Sequence, residues 1–332
     1  MTKQQSQLDS AAYGGDNWSP RTATHREEIG LIWGQCGLDA EWMSLRQVLL
    51  HPPGPELTAI SDPEAAQMLS IPDWDLARKQ HNAIAQAYRD AGVTVHYVEP
   101  RGTPPPNLMF CADLFVMTPE GAILGRPAST VRAGEERHIA RRLADLGIPI
   151  LRTLRGKATF EGADLAWTNP HTALIGRGLR TNAEGVRQVS SVLQEMGVEA
   201  IPVHLSYGSM HLMGKLRFLD RDLAAAWPYR TPFTAVEALR ERGFTVIFLP
   251  DESEAQNQSA FNFVTLGPLE ILMAAGNPIT HSFLESHGVT CRTVDISELR
   301  KAAGGIGCMT GVLERALGRL TTDDRRPTTH RL

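Results

Sequence analysis

The chain has 332 residues, 42% of them hydrophobic, and carries a formal net charge of −4 at pH 7. A chain of this length can bury a large core, either in two domains or in one large α/β domain. The slightly acidic balance gives no electrostatic footprint for nucleic acid or an anionic membrane surface, and no run approaches the roughly 18 to 20 apolar residues of a membrane span.

Cysteine usage and the ends of the chain favour a soluble, cytoplasmic protein. The 4 cysteines form no CxxC pair, so we expect neither a disulfide framework nor a zinc site, and a reducing cytoplasm is the default compartment. Residues 1–25 are predicted to be a flexible tail that lacks the apolar segment of a signal peptide, and residues 321–332 a solvated tail. Residues 26–320 are expected to form a single domain.

Along the chain, short apolar runs bounded by glycine, proline or asparagine alternate with longer stretches of helical periodicity. The runs predict strands at 47–51, 94–98, 114–117, 122–124, 173–175, 200–203, 245–249, 263–266, 271–273 and 290–294. The periodic stretches predict helices at 75–91, 133–146, 183–196, 232–242, 279–286 and 296–303. This alternation predicts an α/β fold.

Five of the predicted helices are followed by the same sequence pattern, which we call a phrase: a glycine and then an apolar residue that opens a strand. A glycine just past a helix is a left-handed C-cap. The phrases recur about 40 to 55 residues apart, which predicts one α/β unit repeated five times in a propeller-like or layered arrangement. A Rossmann sheet is the alternative, but no GxGxxG follows the first predicted strand. The glycines are Gly92, Gly147, Gly197, Gly243 and Gly288.

Cys308 follows three glycines within four residues, in Gly304-Gly305-Ile306-Gly307-Cys308. Such a run indicates backbone that bends sharply or approaches another group closely. A cysteine there is a candidate nucleophile, and an inert core cysteine is the alternative.

Two acids and a histidine are the further candidates for chemistry. Glu161 and Asp164 lie three apart with small residues between them, and two close carboxylates call for a cation such as a planar guanidinium. A turn with solvated acids is the alternative. His211 has no second ligand at metal spacing, so beside a thiol it suits general acid/base work, and otherwise it is a structural histidine.

An acid and an arginine recur at the same spacing. Arg132 lies 19 residues after Asp113, and Arg180 lies 19 residues after Glu161. The equal offset predicts two copies of one structural unit. A strand-end cap at Asp113 and two surface arginines at helix starts are the alternative.

Taken together, these residues resemble the guanidino-group-modifying superfamily of arginine deiminases, arginine dihydrolases, dimethylarginine dimethylaminohydrolases and amidinotransferases. The resemblance runs from about residue 47 to residue 315 and implies a five-bladed α/β propeller (pentein) with fivefold pseudosymmetry, which agrees with the five phrases. The matching motifs are Phe110-Cys111-Ala112-Asp113, Arg132, Glu161-Gly162-Ala163-Asp164, Arg180-Thr181-Asn182, His211 and Gly304-Gly305-Ile306-Gly307-Cys308-Met309-Thr310.

The resemblance implies a role for each matching residue. Cys308 is similar to the nucleophile, His211 to the general acid/base, and Glu161 to the acid that works with the histidine. Asp113 and Asp164 match substrate-binding acids, and Asp113 is the one that grips the guanidinium nitrogens.

Arg132 and Arg180 match the arginines that hold the α-carboxylate of an arginine substrate in the deiminase branch. The expected activity is therefore cysteine-dependent hydrolysis of arginine or a close derivative through a covalent thiouronium, which gives a ureido product and ammonia or an amine. An amidinotransferase, an arginine dihydrolase giving ornithine, and a non-catalytic arginine sensor are the alternatives.

Several positions depart from the pattern of the superfamily. Met213 stands where deiminases and many amidinotransferases carry a polar group, Ala163 replaces a glycine, and Gly307 replaces the histidine that often precedes the deiminase nucleophile. Asp113 stands where dihydrolases tend to have asparagine, which favours a single hydrolysis or a transfer. No cofactor or metal is expected. The expected partner is a small guanidine, and a homo-oligomer is the general expectation for a metabolic enzyme.

Overall fold

The computed structural model describes residues 9–318, whose strands form five three-stranded sheets. Each sheet combines one antiparallel and one parallel strand pair. The strands are β1 Leu45–Leu50, β2 Thr94–Tyr97, β3 Phe115–Thr118, β4 Gly121–Leu124, β5 Ile150–Thr153, β6 Leu165–Asn169, β7 Thr172–Arg177, β8 Glu199–His204, β9 Leu216–Asp220, β10 Leu223–Ala226, β11 Thr245–Phe248, β12 Val264–Gly267, β13 Glu270–Ala274, β14 Thr290–Val294 and β15 Gly311–Arg315.

The sheets are five copies of one unit. Four of them are continuous in sequence, namely β3-β4-β5, β6-β7-β8, β9-β10-β11 and β12-β13-β14, and in the fifth β15 pairs antiparallel with β1, which pairs parallel with β2. The first and last strands of the chain thus complete one unit together. Across this closure the Gln47 side-chain amide donates to Glu314 at 2.6 Å.

In each unit a helix connects the middle strand to the parallel edge strand. The helices are α1 His25–Glu28, α2 Trp74–Asp90, α3 Glu136–Asp145, α4 Ala183–Glu195, α5 Phe233–Glu241, α6 Glu252–Asn257, α7 Pro278–Ser286 and α8 Ile306–Met309, of which α2, α3, α4, α5 and α7 are the connecting ones. The glycines predicted to follow these five helices all have positive φ, from 71° to 84°. A side chain at such a φ is strained, so glycine sets the point where each helix turns into its edge strand.

Burial is lowest in the parallel edge strand of each sheet. The edge strands consist mainly of exposed and half-buried residues, whereas β3 and β12 are buried throughout. We call the first strand of each unit (β3, β6, β9, β12 and β15) its inner strand. All five inner strands line one cavity of about 80 Å³, which has room for several water molecules.

The secondary structure departs from the sequence prediction in two ways. The predicted helix at 296–303 is only a short 3₁₀ turn, Leu299–Ala302, and Ala303 has a positive φ of 68°. Five strands were not predicted: β5, β6, β9, β10 and β15. They are short and lack alternation, and β10 carries three alanines, which favour helices in isolation; their strand conformation comes from pairing within the unit.

Parts of the two predicted tails lie outside the residues that the structure describes. Residues 321–332 and 1–8 are outside the described residues, while within the predicted N-terminal tail Thr24 caps α1 and Arg21 forms an ion pair with Glu28. Within residues 9–318, no helix has both the length and the apolar character needed to cross a membrane.

Candidate active site

The residues of the site come from the segments that enter the five inner strands. Because these strands surround a common cavity, side chains at equivalent positions of the five units are brought to one place. Asp113 lies two residues before β3, Asp164 directly before β6, His211 five residues before β9, Asn262 two residues before β12, and Cys308 in α8, three residues before β15.

The two acid and arginine pairs of equal spacing are in contact. Arg132 Nη1 donates to Asp113 Oδ2 at 2.6 Å, and Arg180 Nη1 donates to Glu161 Oε1 at 3.5 Å. Arg132 is also held by Glu135, whose Oε2 accepts from Nε at 3.0 Å and from Nη2 at 2.9 Å. Arg132 is therefore fixed inside the acidic cluster, whereas Arg180 makes one long contact at the rim.

Glu161 holds the His211 imidazole in place through a hydrogen bond. Glu161 is fully buried, and its Oε2 lies 2.6 Å from His211 Nε2. Its other oxygen, Oε1, accepts from the Ala128 backbone amide at 3.1 Å. Gly162 allows this segment to pack closely, because a Cβ there would lie 2.1 Å from the Phe115 carbonyl oxygen.

Asp164 lies behind the site and supports His211 through the backbone. Its Oδ1 accepts from the Leu212 amide at 3.0 Å and its Oδ2 from the Thr181 hydroxyl at 2.6 Å. Asp164 is fully buried and is not among the residues that line the two cavities beside Cys308. This position suits a positioning residue better than the predicted contact with substrate.

The acids determine the charge of His211. Burial lowers the pKa of the imidazole, but Asp113, the hydrogen bond to Glu161 and the charge of Asp164 outweigh burial, so the His211 pKa is raised above its ordinary value. Burial likewise acts to raise the pKa of Glu161, but the contacts with His211, Arg132 and Arg180 leave it lowered. At neutral pH the pair is an imidazolium beside a carboxylate.

Asn262 contacts Cys308 through both ends of its side-chain amide. Nδ2 donates to Cys308 Sγ at 2.9 Å, and Oδ1 accepts from the Cys308 backbone amide at 3.1 Å. Burial and the charge of Asp113 nevertheless raise the pKa of the thiol, against the lowering by the Gly305 backbone, Asn262 and Arg217. The free enzyme therefore holds a protonated thiol at neutral pH, and the thiolate needs a further positive charge.

Gly307 leaves room for the Arg217 guanidinium beside the segment that carries Cys308. A Cβ at Gly307 would lie 2.0 Å from Arg217 Nη2 and 2.8 Å from Asn262 Oδ1. Arg217 Nη2 is buried and has no hydrogen-bond partner within residues 9–318. Burial lowers the pKa of Arg217 to about 10, while Cys308 and Glu41 act to raise it. The guanidinium thus occupies space that a histidine at position 307 would need.

Two cavities meet at Cys308 and His211, which line both. The smaller cavity, about 40 Å³, is further lined by Asp113, Arg132 and Arg180, and we call it the acidic cavity after Asp113. The basic chamber, about 300 Å³, is further lined by Met213, Lys215, Trp227, Phe261 and Arg300.

Asp113 offers the acidic cavity a free acceptor. Its Oδ1 is buried, has no hydrogen-bond partner among the described residues, and lies 3.6 Å from His211 Nε2. In the whole cluster four carboxyl groups lie near three cationic side chains, but burial raises the pKa of Glu135 to about 7 and that of Asp164 to about 6, so the cluster holds no fixed surplus of negative charge at neutral pH. The carboxyl groups are Asp113, Glu135, Glu161 and Asp164, and the cations are Arg132, Arg180 and protonated His211.

Asp113, Glu161 and His211 could also hold a metal ion, since one ligand atom of each lies within 4.8 Å of the others. Arg132 Nη1 already lies 2.6 Å from Asp113 and 3.8 Å from Glu161, so a guanidinium supplies the positive charge there. A metal ion would have to displace this guanidinium, and the arrangement fits a planar organic cation better.

Sequence reasoning identified seven residues, and the structure brings them together, with Asp164 behind the cavities. It did not identify Glu135, Asn262 or Arg217. Asn262 stands two residues before β12 as Asp113 stands two residues before β3, so the repeat was the signal that could have found it. For Arg217, inside an unpredicted strand, and for Glu135 we find no comparable signal.

Comparisons with a family model, a curated relative and solved structures give consistent matches. The sequence model described as arginine deiminase matches residues 102–230 and 230–315. An N(G),N(G)-dimethylarginine dimethylaminohydrolase from Pseudomonas aeruginosa is 29% identical over 242 residues, which cover 73% of this chain and 90% of that protein.

Solved structures resemble this one over most of its length. A dimethylarginine dimethylaminohydrolase from Pseudomonas aeruginosa, a cysteine-to-serine variant complexed with citrulline, has a TM-score of 0.67 at 26% identity and covers 80% of this chain and 98% of its own. The N-terminal domain of ArgZ, an arginine dihydrolase from cyanobacteria, has a TM-score of 0.71 at 20% identity, covers 83% and 100%, and bears on the fold alone.

Proposed function

Because the chain belongs to the arginine deiminase family of guanidine-modifying enzymes, as its motifs predicted, we propose that it hydrolyses the guanidinium of L-arginine or a close arginine derivative through Cys308. One observation carries the proposal: Cys308, His211 and the free oxygen of Asp113 face the same cavity. A guanidinium is a planar cation with donors on both edges, so it can bind this carboxylate oxygen and present its central carbon to Cys308.

The first step is attack by sulfur. The substrate cation in front of Cys308, together with Asn262 and Arg217 behind it, would lower the pKa of the thiol that burial raises in the free enzyme. Asp113 would hold the guanidinium nitrogens so that the central carbon faces Sγ. Such orientation contributes several kcal/mol in favourable cases, on the order of 7–11 kcal/mol at most.

The second step is departure of a nitrogen. His211 is an imidazolium at neutral pH and would donate its proton to the leaving nitrogen of the tetrahedral adduct, while Glu161 holds the ring at 2.6 Å. The resulting neutral imidazole would then take a proton from water as the water attacks the covalent thiouronium. Hydrolysis gives a ureido product such as citrulline and frees the thiol.

The arginines have different parts in the proposal. Arg180 lines the acidic cavity with one long contact to Glu161, so it is the cation available for the α-carboxylate. Arg132 could bind the substrate α-carboxylate only if its hydrogen bond to Asp113 broke. Otherwise it balances the negative charge of the cluster. Asp164 is assigned to positioning His211.

Amidino transfer is the second candidate, because the basic chamber of about 300 Å³ opens beside Cys308 and has room for an acceptor amine. Dihydrolase action would use the same catalytic residues. The five units are proposed to be the blades of a closed α/β propeller, which forms a single catalytic domain over residues 26–320, since every inner strand borders one cavity. A reducing cytoplasm would keep the nucleophilic thiol free.

The proposal is tested by product analysis. Purified protein is incubated with L-arginine, with and without glycine as acceptor, and products are identified by mass spectrometry. Citrulline formed without an acceptor supports hydrolysis; ornithine with carbon dioxide and two ammonia indicates a dihydrolase, and ornithine with amidinated glycine a transferase. If arginine and Nω-methylarginine are both left intact, the substrate assignment is wrong.

A matched pair of cysteine variants tests the mechanism. Cys308→Ala should abolish turnover but still bind arginine, while Cys291→Ala, at a half-buried cysteine on β14, should keep both. Intact-mass analysis of the wild type during turnover should show an adduct that the Cys308→Ala variant lacks. Full turnover by Cys308→Ala would refute the covalent mechanism.

A further inference from the structure

The basic chamber has no part in the hydrolysis of plain arginine. The acidic cavity would take the guanidinium and amino-acid part of the substrate, but Cys308 and His211 also face the chamber on the other side. With about 300 Å³ against about 40 Å³, the chamber is the larger space and reaches the size of small-ligand sites. A group attached to the guanidinium nitrogen that leaves would extend into it.

Lys215 makes the wall of the chamber positive. Its Nζ lies 4.1 Å from the centre of the Trp227 ring, and no carboxylate of the described residues lies within ion-pair distance of it. Burial, and secondarily Arg230, lowers the pKa of Lys215 to about 8. A half-buried ammonium without an acid is costly to keep, so the position calls for an anion from outside the chain.

Arg300 is a second cation that lines the chamber. Its Nη1 donates to the Gln258 side-chain oxygen, and no ion pair joins it to an acid within the described part of the chain. None of the residues that line the chamber is an aspartate or a glutamate. The two cavities beside Cys308 therefore differ in one respect: Asp113 offers an unpaired oxygen to the smaller cavity, whereas Lys215 and Arg300 line the larger one without a carboxylate.

On the premise of the proposed function, we propose that the basic chamber binds the second N-substituent of an Nω-substituted arginine, and that this substituent bears a carboxylate or a phosphate. Lys215 and Arg300 would contact the anion, and the Trp227 and Phe261 rings would cover the short chain that carries it. The preferred substrate is then a guanidine that carries an acidic group on the nitrogen that departs.

The reaction needs only the side chains of the site and water. The Cys308 thiol releases its proton to solvent as the cationic substrate binds, the Sγ–carbon bond forms, the bond from that carbon to the substituted nitrogen breaks, and the His211 proton goes to this nitrogen. An amine that carries the anionic group leaves, and the thiouronium remains on Cys308. Water then adds to the carbon, His211 takes its proton, and the ureido amino acid and the thiol are released without oxidant, reductant or cofactor.

The test compares probes that differ in the charge of the substituent. The probes are Nω-(2-carboxyethyl)-L-arginine, Nω-(2-phosphonoethyl)-L-arginine and the neutral Nω-propyl-L-arginine, with release of the amine followed by mass spectrometry. We expect kcat/KM for at least one anionic probe to exceed that for the propyl probe by about tenfold, as a charge-assisted contact allows. The anionic probe with the higher kcat/KM shows whether the chamber prefers a carboxylate or a phosphate-like group.

Variants then assign the preference to the chamber. Lys215→Met keeps the length of the side chain and its packing on Trp227 but removes the charge, and it should reduce the preference for the anionic probe to about twofold or less. Arg300→Met should act in the same direction, and Lys215→Arg should retain part of the preference. Lys79→Met, at an exposed lysine on α2, is the matched control and should leave the preference unchanged.

Binding to Cys308→Ala separates this inference from the proposed function. Titration calorimetry measures the affinity of the same probes without turnover, so it tests the charge preference even if no probe is cleaved. A failure to cleave any probe would count against the proposed function and not against the charge preference. Equal or weaker binding of both anionic probes, or a preference that Lys215→Met and Arg300→Met both keep, overturns the inference. Transfer to β-alanine without cleavage of substituted arginines also overturns it, because the chamber would then be an acceptor site.

Discussion

Replacing Asn262 should raise the pKa of Cys308 and slow the enzyme at neutral pH. In the structure, the Asn262 Nδ2 donor lies 2.9 Å from Sγ and stabilises the thiolate more than the thiol. Asn262→Ala removes this donor and also the acceptor of the Cys308 amide. Asn262→Asp keeps an oxygen for that amide but places a negative charge beside the sulfur.

The magnitude follows from the contact. A hydrogen bond to a charged group contributes about 1.5–3 kcal/mol, and one pKa unit corresponds to about 1.4 kcal/mol. The Asn262→Ala variant should therefore show a thiol pKa that is about 1–2 units higher than in the wild type. Asn262→Asp should raise it further, because two negative charges in contact repel. At pH 7, kcat/KM should fall about 10- to 100-fold and recover in part as pH rises.

The assay is the rate of alkylation of Cys308 by iodoacetamide as a function of pH, without substrate, with the site identified by peptide mass spectrometry. Cys36 and Cys111 are fully buried and should react slowly. Asn257→Asp adds the same charge on an exposed surface of α6 and serves as control. An unchanged alkylation midpoint in both Asn262 variants would refute the electrostatic reasoning and leave Asn262 as a backbone support only.

Three further predictions concern the groups around the site and the core. Glu135→Gln should lower the free energy of unfolding by about 1–2 kcal/mol, because an amide oxygen replaces the carboxylate that accepts from Arg132 Nε and Nη2 while Asp113 still pairs with Arg132, as denaturant titration would show. Gly307→Ala should reduce kcat/KM at least about tenfold and cost about 1–3 kcal/mol of stability, because its Cβ would push Arg217 away from the nucleophile. His81→Leu should make the stability of the protein less sensitive to acid. Burial lowers the pKa of His81 to about 3, so below pH 6.5 the unfolded chain takes up a proton that the folded chain does not. Between pH 7 and pH 5 the wild type should therefore lose about 2 kcal/mol of stability through His81, and the variant should not lose it.

Each of these predictions has a matched control. Gly214→Ala places a Cβ where nothing lies within 4 Å, so its kcat/KM should stay near that of the wild type. His204→Leu, at an exposed histidine on β8, should leave the slope of stability against pH unchanged. Glu136→Gln, one residue after Glu135 and only half-buried, should cost clearly less than Glu135→Gln. Equal effects in a variant and its control would contradict the reasoning in that case.

The repeat of the fold could be predicted from local chemistry alone. A positive φ after a helix favours glycine, so Gly92, Gly147 and their three counterparts mark the junctions of all five units. The unpredicted strands show the limit of this approach. Leu223–Ala226 is rich in alanine and becomes a strand because β9 and β11 pair with it on either side, an effect that no short window of sequence contains.

The site divides in the same way. Cysteine, histidine, acids and arginines are recognisable by type and spacing, so the sequence by itself determined which chemistry the chain carries. The tertiary structure alone decided that Asp164 stands behind His211 and that Asn262 and Arg217 flank the sulfur. It also decided that two cavities with different linings meet at Cys308. Such features depend on distances between units far apart in the chain, and those distances are set only when the five inner strands come together.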